Sequence, residues 1–294
     1  MKVANIGENI SDKVVVCLGY FGCLHIGHMR IIDKAKAIAE NLGGKVALVT
    51  FSNSPKVYFG RGKKTIFTLE ERLKIFADAG IDYVITMPFD KVVAQTCGVD
   101  FLNAISRYKP LSIVCGSDYT FGCDRLTPKD IKSYLPSVCV EVVDELFYRE
   151  TKVSTVNIEA MLCESKLDEV NKMLSEPYFI LGKVVRGREI GHTIGFPTAN
   201  VLVGDEKLLP CGVFVADATV FGKTYRAIVN IGNKPTFGDE SSTIEAHLIG
   251  FEGDLYGRDI ALVIRRFLRA TKPFDSVEEL VKQLQIDKEN AVSD

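Results

Sequence analysis

Apolar residues follow two different rhythms along this chain, and the change near Tyr178 divides it. Before that point, short unbroken apolar runs alternate with amphipathic stretches. Residues 14–18, 46–51, 83–87, 113–115 and 138–143 read as buried strands. Residues 29–42, 69–79, 100–108 and 128–134 between them carry helical spacing, with Ile31, Ile32, Ala35, Ile38, Ala39 and Leu42 on one face of the first. Thr68 with Glu71 forms a capping box, and Thr127 before Pro128 is a second helix start. This alternation predicts an α/β domain with a doubly wound parallel sheet, whose ligands bind beyond the strand C-termini. After a helical stretch over 158–174, the pattern changes to β runs at 180–185, 213–220, 225–231, 243–249 and 260–267. Punctuated by Gly and Pro, they predict a small antiparallel β-barrel. A last helix starts at Ser276, boxed by Glu279, and runs to about Ile286. The expected division is a nucleotide-binding domain over 1–160, a helical linker over 161–177 and a barrel domain over 178–294.

Composition narrows the function classes. Lys plus Arg (36) nearly balances Asp plus Glu (38), with no long basic run, so nucleic acid is not an expected partner. No apolar segment reaches the roughly 20 residues of a membrane span, and residues 1–13 lack the plan of a secretory signal. The eight cysteines are scattered through apolar runs without a Cys-x-x-Cys pair. They read as reduced thiols of a cytoplasmic protein.

The richest stretch is Leu18-Gly19-Tyr20-Phe21-Gly22-Cys23-Leu24-His25-Ile26-Gly27-His28, between the first strand and the first helix. A helix N-terminus offers free N–H groups and positive potential, and glycines let backbone approach a phosphate. His25 and His28, two of only four histidines, can steady charge developing on a phosphoryl group. A second centre is Gly195-Phe196-Pro197-Thr198-Ala199-Asn200. Thr198 and Asn200 face the same way on an extended backbone, and their oxygens are hard donors suited to Mg²⁺. The later run 243–249 puts Glu245 and His247 on one face, where a carboxylate beside Mg²⁺-phosphate can take a proton from an alcohol.

Over essentially its whole length the chain resembles the bacterial bifunctional riboflavin kinase/FMN adenylyltransferases, the FAD synthetases. The C-terminal half carries Gly182-Lys183-Val184-Val185, the Gly195–Asn200 run, Asn230-Ile231-Gly232, Pro235-Thr236-Phe237-Gly238, Phe251-Glu252-Gly253-Asp254-Leu255-Tyr256-Gly257 and Phe267-Leu268-Arg269. The N-terminal half carries His25-x-Gly27-His28 and Gly116-x-Asp118-x-x-Phe121-Gly122.

The resemblance implies riboflavin phosphorylated to FMN, and FMN adenylylated to FAD, with ATP and Mg²⁺. It implies nucleotide contacts at Gly19, Phe21, Gly27, Ser154, Thr155, Gly182, Lys183, Gly195 and Pro197. Flavin contacts fall at Asp118, Phe121, Asp254, Leu255, Tyr256 and Arg269. Thr198 and Asn200 hold the metal, Glu245 is the base, and His25 and His28 serve adenylyl transfer. Three departures stand out: His192 for an arginine, Gly22 for an acid, and Glu159 for an arginine after Ser154 and Thr155. A carboxylate near departing pyrophosphate would oppose its charge. An alternative therefore leaves one half impaired, with the N-terminal half a flavin or nucleotide sensor.

Overall fold

The computed structural model describes residues 1–62, 64–187, 195–233 and 242–293. It forms two compact units, Met1–Asn157 and Ile158–Asp294.

The first unit is built on β1 (Lys2–Asn5), β2 (Val14–Leu18), β3 (Lys45–Phe51), β4 (Tyr83–Met87), β5 (Ser112–Gly116) and β6 (Cys139–Val143). They form one parallel sheet in the order β1-β4-β3-β2-β5-β6. Burial on both faces explains why β2 is apolar throughout and β4 apolar but for Thr86: every residue of each is buried. β1 is exposed at three of its four residues and begins and ends on polar side chains, which is why hydrophobic patterning did not reveal it. Helix α1 (Ile26–Leu42) lays Ile31, Ile32, Ala35 and Ala39 onto the sheet and ends on Gly43 in the left-handed region, φ 64°. The order reverses between β2 and β5, because β2 leads to β3 on one side and β5 to β6 on the other. That switch point opens a crevice beyond their C-termini.

Helices α2 (Pro55–Tyr58), α3 (Leu69–Asp78), α4 (Lys91–Gln95), α5 (Gly98–Ser106) and α6 (Pro128–Tyr134) complete the unit, with a hairpin of β7 (Phe147–Tyr148) and β8 (Thr151–Lys152). The Thr68–Glu71 box is formed, Thr68 N–H to Glu71 Oε2 at 2.9 Å and Glu71 N–H to Thr68 Oγ1 at 3.3 Å.

The expected single helical stretch over 158–174 is two helices, α7 (Thr155–Cys163) and α8 (Leu167–Met173). Ser165 at φ +57° breaks it. Residues 161–177, expected as a linker, group with the second unit. There α8 buries Leu167, Val170 and Met173, and Asn171 Nδ2 donates to Ile264 O at 3.0 Å.

The second unit is a closed antiparallel barrel of β9 (Phe179–Val185), β10 (Ala199–Leu202), β11 (Gly212–Val220), β12 (Lys223–Asn233), β13 (Ser242–Leu248) and β14 (Asp259–Arg269). Its order is β10-β13-β12-β11-β14-β9, with β9 closing onto β10. Val229, Ile231, Ile244 and Ala246 fill the interior. Helix α9 (Val277–Val292), longer than expected, places Ala291 on Val213, Val215 and Ile228 of the outer face.

Candidate active sites

The crevice of the first unit is a cavity of about 830 Å³. Gly19, Phe21, His25, Gly27 and His28 after β2, Asp118 and Phe121 after β5, and Ser154 and Thr155 at the start of α7 all line it. Residues scattered over the sequence thus meet where the sheet order reverses.

The histidine turn is tightly specified. His25 caps α1, its Nδ1 accepting from the His28 backbone N–H at 3.1 Å. The two imidazoles stack with centroids 3.5 Å apart and planes 12° apart. His28 Nδ1 lies 2.8 Å from Cys23 O. A carbonyl only accepts, so this nitrogen carries the hydrogen and neutral His28 keeps Nε2 bare. Neutral His25, accepting at Nδ1, carries its hydrogen on Nε2. Burial and then His28 push His25 down to about 2, and burial holds His28 near about 4. Both are neutral at pH 7.

Gly27 leaves room for the capping imidazole, since a Cβ there would lie 3.1 Å from His25 Nδ1, a tight contact. Phe21 takes φ +48°, and its ring lies 4.9 Å from that of His28.

Sequence reasoning missed what holds this turn. Arg72 of α3 is buried, and its guanidinium donates to Phe21 O (3.2 Å), Phe51 O (2.9 Å), Tyr20 O (2.8 Å) and Thr50 Oγ1 (2.7 Å). These four partners are neutral oxygens, so the positive charge behind the turn is not cancelled by them. The only advance signal was an arginine one position after the capping-box Glu71. Also missed were the rings of Phe51, Tyr58, Phe59 and Phe89, in edge contacts of 4.9–5.5 Å. Phe51, Phe59 and Phe89 line the cavity.

On the barrel, Asn200 of β10 lies directly opposite Glu245 of β13, and Glu245 directly opposite Asn230 of β12. Paired residues share a face, so the three form a row across the outer surface. The Thr198–Asn200 approach is fixed by His247, whose Nδ1 donates to Pro197 O at 2.8 Å and whose ring meets that of Phe196 at 5.3 Å. Burial lowers the pKa of His247. Gly187 lies against the Asn200 amide, since a Cβ there would stand 2.0 Å from Asn200 Nδ2. Gly195 is at φ +79°. Gly182 is needed because a Cβ would meet Leu202 O at 2.7 Å, while Lys183 beside it is exposed.

In the loop after β13, Asp254 Oδ1 accepts from Tyr256 N–H at 2.8 Å, Leu255 is buried, and the Tyr256 ring lies 5.4 Å from the Arg186 guanidinium. Arg269, expected to contact flavin, meets buried Asp287 of α9, Nη2 to Oδ2 at 2.8 Å.

Comparison with known proteins follows this division. Residues 7–157 match the family model described as FAD synthetase, and residues 174–293 that of riboflavin kinase. The bifunctional riboflavin kinase/FMN adenylyltransferase of Bacillus subtilis is 32% identical, over 95% of this chain and 92% of its own. That of Listeria monocytogenes is 31% identical, over 94% and 90%. The chain belongs to the bifunctional riboflavin kinase/FMN adenylyltransferase family. A crystal structure of a protein described as a macrolide-efflux protein of Streptococcus pneumoniae has the same fold, with TM-score 0.93, 29% identity and 99% of both chains covered. Among the described residues no helix is long and apolar enough to cross a membrane.

As a family member the chain is a bifunctional enzyme, with an FAD synthetase half and a riboflavin kinase half. Two of its departures from the family pattern acquire a structural setting. A Cβ on Gly22 would stand 2.3 Å from the Tyr20 ring, so that ring occupies the room an acid would need. Glu159 lies on α7 in the stretch that groups with the second unit, and the cavity of the first is lined by the cations Arg61, Arg125 and Lys152. Lys152 is held by Asp118 at 2.8 Å and by Glu145, which raise its pKa. His192 and Pro235-Thr236-Phe237-Gly238 lie outside the described residues.

Proposed function

We propose that the outer face of the barrel phosphorylates riboflavin and that the cavity of the first unit adenylylates the FMN so formed. The observation that carries the kinase reading is the cross-strand pairing of Asn200 with Glu245. It sets a candidate base beside a candidate metal ligand, with neighbouring Cβ atoms about 5 Å apart. Among the described residues no cluster of His, Cys, Asp and Glu could hold a metal. The Thr198 hydroxyl and Asn200 amide oxygen fit Mg²⁺, which takes few protein ligands and keeps water and phosphate oxygens for the rest. When bound with ATP, Mg²⁺ neutralises charge on the transferring phosphoryl group. Glu245 takes the proton of the ribityl 5′-hydroxyl, whose own pKa is far too high for attack at neutral pH. In this reading Asp254, Leu255 and Tyr256 contact the flavin, and Gly182, Lys183, Gly195 and Pro197 the nucleotide.

Adenylyl transfer needs no such base, because the FMN phosphate is already anionic. Its demands are alignment and charge stabilisation. His25 Nε2–H donates to a phosphate oxygen. His28, bare at Nε2, takes up a proton when polyphosphate arrives. The α1 N-terminus and the Arg72 charge behind the turn act in the same direction. The ring cluster at Phe51, Phe59 and Phe89 offers an aromatic wall for the isoalloxazine, with Asp118 and Phe121 across the cavity.

We place the enzyme in the cytoplasm, where its eight free cysteines stay reduced. Incubation of the purified protein with riboflavin, ATP and Mg²⁺, resolving FMN from FAD over time, tests the reading. FMN then FAD is expected. His28→Ala should stop FAD alone, whereas Glu245→Gln should stop FMN, and with it FAD from riboflavin, yet still make FAD from added FMN. Loss of FMN formation in His28→Ala, or of FAD formation from added FMN in Glu245→Gln, would contradict the assignment of one reaction to each unit.

A further inference from the structure

The β2–β3 ladder ends with Leu18 opposite Val49. Beyond that pair a side chain, Arg72, joins the two chains. On the β2 side its Nε donates to Phe21 O at 3.2 Å and its Nη2 to Tyr20 O at 2.8 Å. On the β3 side Nη1 donates to Phe51 O at 2.9 Å and Nη2 to Thr50 Oγ1 at 2.7 Å. The Thr50 hydroxyl in turn donates to Tyr20 O. Each side leads to the surroundings of one substrate. The Phe21 ring lies 4.9 Å from that of His28, in the nucleotide turn. The Phe51 ring lies 4.9 Å from that of Phe89, in the aromatic wall. Asn53 clamps Phe89 at two points, its Oδ1 accepting from Phe89 N–H at 2.6 Å and its Nδ2 donating to Phe89 O at 3.0 Å.

The support is rigid. Arg72 is 2% exposed and stands on α3, one residue past the capping-box Glu71. Its guanidinium lies 4.8 Å from the Tyr20 ring and 5.7 Å from the Phe76 ring. Phe21 sits in the left-handed region at φ +48°, a backbone that a bulky residue keeps only where its surroundings hold it. The bond from Nε to Phe21 O is such a hold.

We infer that Arg72 is a positioning residue for adenylyl transfer, its planar fork fixing the nucleotide turn and the flavin wall at one separation. The inference rests on the cavity of the first unit being the adenylylation site. In the step, an FMN phosphate oxygen forms its bond to the α-phosphorus of ATP while the α–β bridging P–O bond breaks. Pyrophosphate leaves with the electron pair of that bond. Attack in line with the departing oxygen makes the rate depend on how the two substrates stand relative to each other. Arg72 touches no reacting atom. A guanidinium presents five N–H donors in one plane, whereas an ammonium is a point charge with three. Lysine at this position therefore keeps the charge and loses the span between the two chains.

The test is FAD formation from added FMN in wild type, Arg72→Lys, Arg72→Met and Thr50→Val, with rates expressed per folded molecule from the thermal unfolding curves. FMN formation from riboflavin is the control in the same molecule. Arg72→Lys should lower kcat for FAD by about 10²-fold, the cost of a misplacement of about 1 Å. KM for FMN and for ATP should move by less than about threefold, because alignment is lost and binding is not. Arg72→Met should be at least as slow, and Thr50→Val should show a smaller loss in the same direction. FMN formation should not change. Wild-type kcat per folded molecule in Arg72→Lys overturns the inference, whatever becomes of Arg72→Met, since charge alone would then suffice. A rise in KM with kcat kept overturns it too, because Arg72 would then serve binding. Failure of both Arg72→Lys and Thr50→Val to fold would make the fork structural and overturn it as well. Absence of FAD from the wild type would instead be a failure of the underlying reading, which no Arg72 variant produces.

Discussion

Gly22 and Tyr20 are sterically coupled: a Cβ at Gly22 would stand 2.3 Å from Tyr20 Cε1. The buried Arg72 guanidinium packs over the Tyr20 ring at 4.8 Å, so swinging the ring aside gives up that contact. Gly22→Asp should therefore destabilise the first unit and lower FAD formation instead of improving it. Gly22→Asp combined with Tyr20→Ala should recover much of the loss, a non-additive pair. Thermal midpoints and FAD formation from FMN, measured on both single variants and the double, check this. Simple additivity would remove the coupling.

The histidine stack links stability to pH. His25 and His28 fold with pKa values near 2 and 4, below the ordinary 6.5 they regain on unfolding. Below pH 6.5 the unfolded chain binds the more protons, so the stabilisation is full above that value and fades as pH falls toward 4 and beyond. His28→Asn should flatten part of the dependence of the thermal midpoint on pH between 6.5 and 4. ATP binding at pH 7 should be accompanied by proton uptake, visible as a buffer-dependent heat by calorimetry and smaller in that variant.

Metal dependence should divide between the halves. Thr198→Val removes one hard oxygen while keeping a β-branched shape, so FMN formation should need more Mg²⁺ at half-maximal rate. The Mg²⁺ dependence of FAD formation from FMN should not move. An equal shift in both reactions would mean Thr198 does not act at the barrel alone.

Arg269 fastens helix α9. Its guanidinium meets Asp287, which is only 2% exposed, and Gln283 Nε2 donates to the same carboxylate at 3.0 Å. Arg269→Ala leaves that carboxylate buried and unpaired, which costs about 3 kcal/mol or more. Denaturant unfolding should show this loss in the second unit. Replacing both partners by apolar residues should cost much less.

Glu159→Arg should change FAD formation little, because Arg61, Arg125 and Lys152 already bring positive charge to the cavity. Steady-state rates at matched Mg²⁺ decide it, and a large gain would mean that Glu159 acts on the pyrophosphate after all.

Sequence alone determined the elements and the chemistry-bearing residue types. Apolar runs marked β2 to β6, most fully in β2, where a parallel strand is buried on both faces, and caps such as Thr68 marked helix starts because free N–H groups there need an acceptor. Half-polar β1 and the break at Ser165 carried no such signal. Residue type and local spacing singled out His25, His28, Thr198, Asn200 and Glu245 as candidates, since a turn or an extended strand fixes which way near neighbours point, while their roles came from the family resemblance.

Tertiary structure decided who meets whom. Only the sheet order brings the segments after β2 and β5 to one crevice, and only barrel register sets Asn200, Glu245 and Asn230 in a row. Arg72 lies 51 residues from the carbonyl of Phe21 that it holds, and Asp287 lies 18 from Arg269. Such pairings are set by packing and hydrogen-bond demand at sites distant in sequence, which no local pattern encodes.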